Sequence, residues 1–133
     1  MRRGEWLYWQ ALVGRTLYRV PTSVLVTAGA NVGAAVERVG TTRVAEGLRM
    51  DGQGCLFITD PAANAVRMRV PDGTKRVMAQ DARLRSLHSL ADDADGSIYV
   101  TASHIQDVAQ FHGKGSVQRG KWGLFRIASP HGR

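Results

Sequence analysis

Three segments of the chain repeat one pattern, in which an aromatic and β-branched strand is followed by a short connector and a second strand. The equivalent positions are Leu7, Leu56 and Ile98, so that the spacing is 49 residues and then 42 residues. A period of about 40 to 50 residues that contains only strands and turns is typical of β-propeller blades. Turn signals separate the strands, at Asp51-Gly52, Asp72-Gly73 and Asp95-Gly96. The repeat therefore predicts an all-β fold.

The three segments differ in their number of predicted strands within a single domain, residues 1–133. The middle segment, 46–80, has all four strands of an antiparallel blade, at Gly47 to Met50, Cys55 to Thr59, Ala65 to Val70 and Arg76 to Ala79. The first segment, 4–40, lacks an inner strand and uses Val36 to Val39 as its outer strand. The third, 87–128, lacks an outer strand and has strands at 89–91, 97–101 and 124–127.

This strand count predicts a partial β-propeller of about three blades. An open arc of blades has unpaired strand edges, which natural proteins cover or close. We therefore expect the chain to be a carboxy-terminal piece of a longer propeller. Its partners at the open edges are expected to be the missing blades or a second copy of the chain.

The charge of the chain is spread along the sequence. Lys and Arg number 18 against 11 Asp and Glu, which gives a net charge of +7 among 133 residues. A nucleic-acid-binding protein concentrates its basic residues on one face, whereas pairs such as Arg67 and Arg69 are interpreted as solvated faces of strands. We therefore expect no nucleic-acid partner.

The single cysteine, Cys55, excludes a disulfide framework and a Cys-rich zinc module.

Neither the amino terminus nor the interior of the chain has a membrane-directed segment. Arg2 and Arg3 are followed by no apolar run, so this region does not have the pattern of a signal peptide. The weakly apolar stretch from Val24 to Val36 is interrupted by polar residues and glycines and is too short to span a bilayer. We expect no membrane partner.

Several motifs occur in an order that is more specific than any one of them. They include Leu17 to Thr22, Ala45 to Leu48, Phe57 to Asp60, Pro71 to Gly73 and Asp93 to Thr101. On these residues the chain resembles the carboxy-terminal half of a bacterial member of the yellow / major royal jelly protein family. That family is related to the six-bladed propellers of the senescence-marker protein / gluconolactonase type. The resemblance covers nearly everything from Gly4 to Ile127.

The resemblance implies a six-bladed, commonly secreted propeller that binds a small molecule in its central channel. It thus implies an extracellular or periplasmic location. The alternative that it implies is a metal-dependent, lactonase-like hydrolase with one divalent cation, Ca²⁺ or Zn²⁺, in the channel. Glu46 occupies the kind of position that holds the cation in the lactonases. The chain departs from the yellow-like pattern at Glu46, where Asp is usual, and at Ser86-Leu87-His88, where Trp-Pro-Asp is usual.

Glu46 and His88 are the principal candidate ligand-binding residues. Both are predicted to begin innermost strands and so to project toward the channel mouth, where a carboxylate and an imidazole can bind a cation or exchange protons. The competing interpretation is structural, with Glu46 capping a turn and His88 bonding to the backbone. His104 is a third candidate, because it flanks the insertion Ile105 to Phe111. Its spacing of eight from His112 is a weak zinc signal. No catalytic residue is assigned.

Other residues with reactive or polar side chains are interpreted as structural. Asp60 and Asn64 bracket a turn between two strands, where their side chains are expected to bind turn amides. Cys55 is expected to be a small apolar filler. The tryptophans Trp6, Trp9 and Trp122 are expected to pack within blades.

Overall fold

Ten strands form three antiparallel sheets in the computed structural model, which describes residues 4–105 and 122–132. The first sheet contains β1 (Trp6–Trp9), β2 (Thr16–Pro21) and β3 (Glu37–Thr41). The second contains β4 (Leu48–Met50), β5 (Leu56–Asp60), β6 (Ala65–Arg69) and β7 (Lys75–Gln80). The third contains β8 (Leu87–Asp92), β9 (Ile98–Ala102) and β10 (Gly123–Ile127). The all-β class is confirmed, and within the described residues the sheets do not close into a ring.

In each sheet the strands lie side by side in chain order, so that every neighbouring pair is antiparallel. The period of two in the sequence is typical of half-buried strands, because alternate side chains of a strand point to opposite faces of its sheet. The turns recur as well. The Gly54 N–H donates to the Asp51 carbonyl, and the Gly96 N–H donates to the Asp93 carbonyl, 42 residues further along the chain. Both glycines have a positive φ, 82° and 78°.

The second sheet lies between the other two, and its central strand β5 is buried along its whole length. Leu56 and Ile58 pack on one face with Leu17 of the first sheet. Phe57 packs on the opposite face with Ile98 of the third sheet. Burial on both faces explains why β5 is continuously apolar from Leu56 to Ile58.

Short helical segments lie in two of the connections and were not among the predicted elements. The connection from β2 to β3 contains α1 (Thr22–Leu25) and a 3₁₀ turn at Gly33–Ala35. A second 3₁₀ turn, Pro61–Ala63, joins β5 to β6 and ends at Asn64 in the left-handed conformation. Since no helix in the described ranges exceeds four residues, none is long enough to cross a membrane.

The tryptophans have three different environments. Trp9 stacks on Tyr18, with ring centroids 5.6 Å apart, and the Arg19 guanidinium lies 4.0 Å from the Trp6 ring. Trp122 is 77% exposed, so the prediction that it packs within a blade is wrong. It directly precedes the edge strand β10, whose outward-facing side no described element covers. His112 and most of the insertion that it borders lie outside the described residues.

Candidate functional site

Glu46 and His88, the two principal candidates from the sequence, are in direct contact. His88 is the second residue of β8, and Glu46 stands two residues before β4. The imidazole Nδ1 lies 2.7 Å from the carboxylate Oε2, and both side chains are partly exposed. The pair therefore joins the first strands of two neighbouring sheets at a position that solvent reaches.

The backbone at Glu46 is held by a buried hydroxyl on the adjacent strand. Thr59 in β5 is completely buried, and its Oγ1 accepts hydrogen bonds from the N–H groups of Glu46, at 3.0 Å, and Gly47, at 2.9 Å. The third sheet contains an equivalent hydrogen bond, in which Thr101 Oγ1 accepts from the Ser89 N–H at 3.1 Å. The threonines are 42 residues apart, as are Glu46 and His88. Glu46 and His88 are thus equivalent positions in two successive sheets.

Gly47 allows the two sheets to approach each other at this point. A Cβ atom on Gly47 would lie 1.9 Å from the carbonyl oxygen of His88, which is far inside contact distance. Any other residue would push β4 and β8 apart. The close approach of the backbones is what brings the side chains of Glu46 and His88 within hydrogen-bonding distance.

The geometry of the pair orients the imidazole. The Glu46 carboxylate contacts Nδ1 of His88, so Nε2 is the ring nitrogen that remains available to a ligand. Neither Nε2 of His88 nor Oε1 of Glu46 has a hydrogen-bond partner among the residues that the structure describes. Histidines oriented by a carboxylate in this way commonly bind metal ions or act as bases. Within the described ranges, no third carboxylate, histidine or cysteine joins the pair in a metal-binding group.

His104, the third candidate, lies two residues beyond the end of β9 in the left-handed conformation, with a φ of 52°. Its backbone N–H donates to the carbonyl of Arg85 at 3.4 Å. Arg85 is three residues before His88, so His104 is at the end of the third sheet where β8 begins. The structure places it near the start of that strand, and it is not part of the Glu46–His88 contact.

A cluster of Asp51, Cys55 and His131 was missed by the sequence analysis. One ligand atom from each lies within 4.8 Å of the others. Asp51 Oδ2 is 2.8 Å from His131 Nε2, and Asp51 Oδ1 accepts a hydrogen bond from the Cys55 N–H at 2.9 Å. Burial raises the pKa of the Cys55 thiol, so a metal ion at this cluster would have to displace a proton from sulfur. The 80-residue separation of Asp51 and His131 explains why no local motif marks the cluster.

Asp60 is in a different environment from the one predicted for it. It is 1% exposed and caps no turn with its side chain. Its Oδ2 accepts a hydrogen bond from Arg67 Nε at 2.7 Å and lies 3.4 Å from Arg43 Nε. The prediction that Asp60 binds turn amides is therefore wrong, and Arg67 is an ion-pair partner of a buried carboxylate.

The same carboxylate lines a cavity of about 460 Å³ between the first and second sheets. The cavity is lined by side chains of both sheets and of the connection between them, and five of these are cationic: Arg15, Arg43, Arg67, Arg69 and Lys75. Part of the evenly spread charge of the sequence is thus gathered at one place by the fold.

No known protein-family model matches the chain, and no curated protein matches it either. The resemblance to the yellow / major royal jelly protein family therefore stays a prediction.

Proposed function

We propose that the chain is part of a small-molecule-binding β-propeller of the yellow / royal-jelly-like type, whose ligand binds beside Glu46 and His88. The observation that carries this proposal is the 2.7 Å contact between these residues, which occupy equivalent positions in two successive sheets. In a propeller the first strand of each blade lines the central channel. Equivalent positions at the starts of β4 and β8 therefore lie close together at one end of that channel. Binding pockets commonly combine a few convergent polar groups of this kind.

The pair suits a ligand that carries both a positive charge and a hydroxyl group. The Glu46 carboxylate attracts an ammonium group, and Nε2 of His88 can accept a hydrogen bond from a hydroxyl group. An amine meets the first requirement, a hydroxylated aromatic compound meets the second, and a hydroxylated aromatic amine meets both. Solvent access to both side chains is compatible with entry of such a ligand.

Calorimetric titration with tyramine, which carries an amine and a phenol, tests the proposal. We expect Glu46→Gln and His88→Gln each to weaken binding about tenfold, the effect of losing one charge-assisted hydrogen bond. Glu37→Gln is the matched control, because Glu37 is an exposed carboxylate on β3 that pairs with Arg19. Unchanged affinity in both site variants, or an equal loss in the control, would contradict the proposal.

The oriented imidazole favours a second candidate function, a metal-dependent lactonase-like hydrolase. His88 Nε2 and Glu46 would then hold a Ca²⁺ or Zn²⁺ ion together with ligands from further blades. A bound cation polarises the ester carbonyl and activates water. Hydrolysis of a simple δ-lactone that stops on chelation and returns with the metal would support this function. Tyramine binding without metal, and without lactone turnover, would support the first.

The proposed propeller needs further blades or a second copy of the chain to cover its outer sheets. Leu7 on β1 is 49% exposed, and Leu124 on β10 is 68% exposed. These side chains point away from the central sheet, on the two faces where neighbouring blades would pack. The extracellular or periplasmic location belongs to the same proposal and is supported by the family resemblance alone.

A further inference from the structure

The cavity between the first and second sheets is separate from the proposed channel site, because neither Glu46 nor His88 lines it. Its volume, about 460 Å³, falls in the range of roughly 300 to 1,000 Å³ that is usual for small-molecule pockets. Lys75 connects the two sheets at its rim, where Nζ donates to the Thr41 carbonyl at 2.6 Å. The cavity is thus bounded by both sheets.

The cavity has an excess of positive charge. Arg43 and Arg67 interact with Asp60, which is the one carboxylate in the lining. The other three cations, Arg15, Arg69 and Lys75, form no ion pair with a carboxylate in the described ranges 4–105 and 122–132. A concave site lined by like charges concentrates the electrostatic field, and guanidinium groups bind carboxylates and phosphates with two parallel hydrogen bonds. These three side chains favour an anion.

The buried carboxylate adds a requirement of its own. Both arginines use Oδ2 of Asp60, whereas Oδ1 is buried without a hydrogen-bond partner among the described residues. A buried, unsatisfied acceptor costs free energy, so such atoms in native proteins usually have a partner such as water or a ligand. A ligand that satisfies Oδ1 must donate a hydrogen bond, which a plain anion such as phosphodiester or sulfate does not do.

We propose that this cavity binds a small hydroxylated organic anion, that is, a sugar phosphate or a sugar acid. Arg15, Arg69 and Lys75 bind the anionic group, and a hydroxyl group of the ligand donates to Oδ1 of Asp60. Both ligand types share this chemistry and differ only in whether phosphate or carboxylate carries the charge. The inference does not depend on the proposed function, because the two sites have no residue in common.

Calorimetric titration of the full chain with four probes tests the ligand class: glucose 6-phosphate, glucuronate, sulfate and glucose. We expect one or both of the hydroxylated anions to bind about tenfold more tightly than sulfate, which has no hydrogen to donate to Asp60 Oδ1. Glucose should bind too weakly to measure. The tighter of the two sugar anions identifies the charged group. Equal binding of glucose 6-phosphate and sulfate would overturn the role of Asp60, and no binding of either sugar anion would overturn the proposal.

Substitutions locate the binding at this cavity. Lys75→Gln and Arg69→Gln should each weaken binding of the preferred sugar anion about tenfold. Arg76→Gln is the matched control, because Arg76 follows Lys75 on the same exposed strand and does not line the cavity. The proposal is wrong if the two cavity variants bind as the native chain does, or if Arg76→Gln reduces binding equally.

Two further measurements complete the test. Asp60→Asn should abolish the preference for the sugar anion over sulfate. If this variant does not fold, the ratio of the two affinities in the native chain decides the question. A single-stranded oligonucleotide is the last probe. If it binds more tightly than the sugar anions, and if Lys75→Gln weakens its binding, the cavity binds a polyanion and the proposal is wrong.

Discussion

Asp95 illustrates how a single exposed carboxylate can be held in its ionised form. Its oxygens accept hydrogen bonds from the Ser97 N–H at 2.8 Å and from the Arg126 guanidinium at 2.6 Å. These contacts lower the pKa of Asp95 to about 2, from an ordinary value of 3.8. Asp81 is similar, because hydrogen bonds from Arg83 lower its pKa to about 2.

The lowered pKa of Asp95 predicts an acid-dependent loss of stability. Its contribution is fully present above pH 3.8 and is lost as the pH falls from 3.8 toward about 2, since the folded state then has to take up the proton that the unfolded state already holds. Carboxyl-carbon NMR should show Asp95 titrating near pH 2, and Arg126→Gln should move its pKa upward. An Asp95 pKa close to 3.8 in the native chain would contradict this prediction.

Cys55 is predicted to be chemically inert in the folded chain. The residue is 4% exposed, and burial together with the nearby Asp51 carboxylate raises the pKa of its thiol. Because the thiolate is the reactive species, alkylation by iodoacetamide at neutral pH should be much slower for the folded chain than for the chain in urea. Mass spectrometry over time measures both rates. Equal rates would show that Cys55 is exposed, and would also remove the basis for the Asp51, Cys55 and His131 cluster.

Among the elements, β4 and β8 depend on one glycine for their close approach. Gly47→Ala should destabilise the chain by about 1 to 3 kcal/mol, the usual cost of adding a methyl group where no space exists. The clash is with the carbonyl of His88, which belongs to backbone and cannot rotate away. Gly52→Ala is the matched control, since a Cβ there has no atom within 4 Å and the backbone φ is not positive. Urea denaturation measures both variants, and equal midpoints would contradict the prediction.

The strands were predictable from sequence to a greater extent than the connections between them. Alternation, β-branched residues and Asp-Gly turns are local signals, and each of them marks a strand or its end. The segment from Thr22 to Ala35 has no such signal, and its helical turns were missed. In the first turn of the second sheet, the glycine with positive φ is Gly54, although the Asp51-Gly52 step predicted the turn. Turn geometry depends on hydrogen bonds that the residue types alone do not specify.

At the scale of the whole molecule, the outer faces of the first and third sheets are expected to mediate association. Leu7 and Leu124 lie on these faces, and the edge strands β1 and β10 have unpaired backbone groups on their outer sides in the described part of the chain. Light scattering after size exclusion should therefore show mass that rises with concentration. Leu124→Lys should reduce association, because a buried lysine at the contact costs more than an exposed one.

Leu25→Lys is the control for this prediction, since Leu25 is 44% exposed but lies on α1 rather than on a sheet face. We expect it to leave the concentration dependence unchanged. A monodisperse monomer at all concentrations, with slow hydrogen exchange in β1 and β10, would contradict the expectation that these faces need a partner.

Spacing along the chain was enough to predict the all-β class, the grouping of strands and the equivalence of Glu46 and His88 in the repeat. The repeat of 42 residues is enough to show that these two positions are equivalent. The fold was needed to show that Asp60 faces two arginines and that His131 contacts Asp51. Those contacts form where different sheets or distant segments meet. The free energy of packing determines which side chains face each other there, and a local sequence pattern does not encode it.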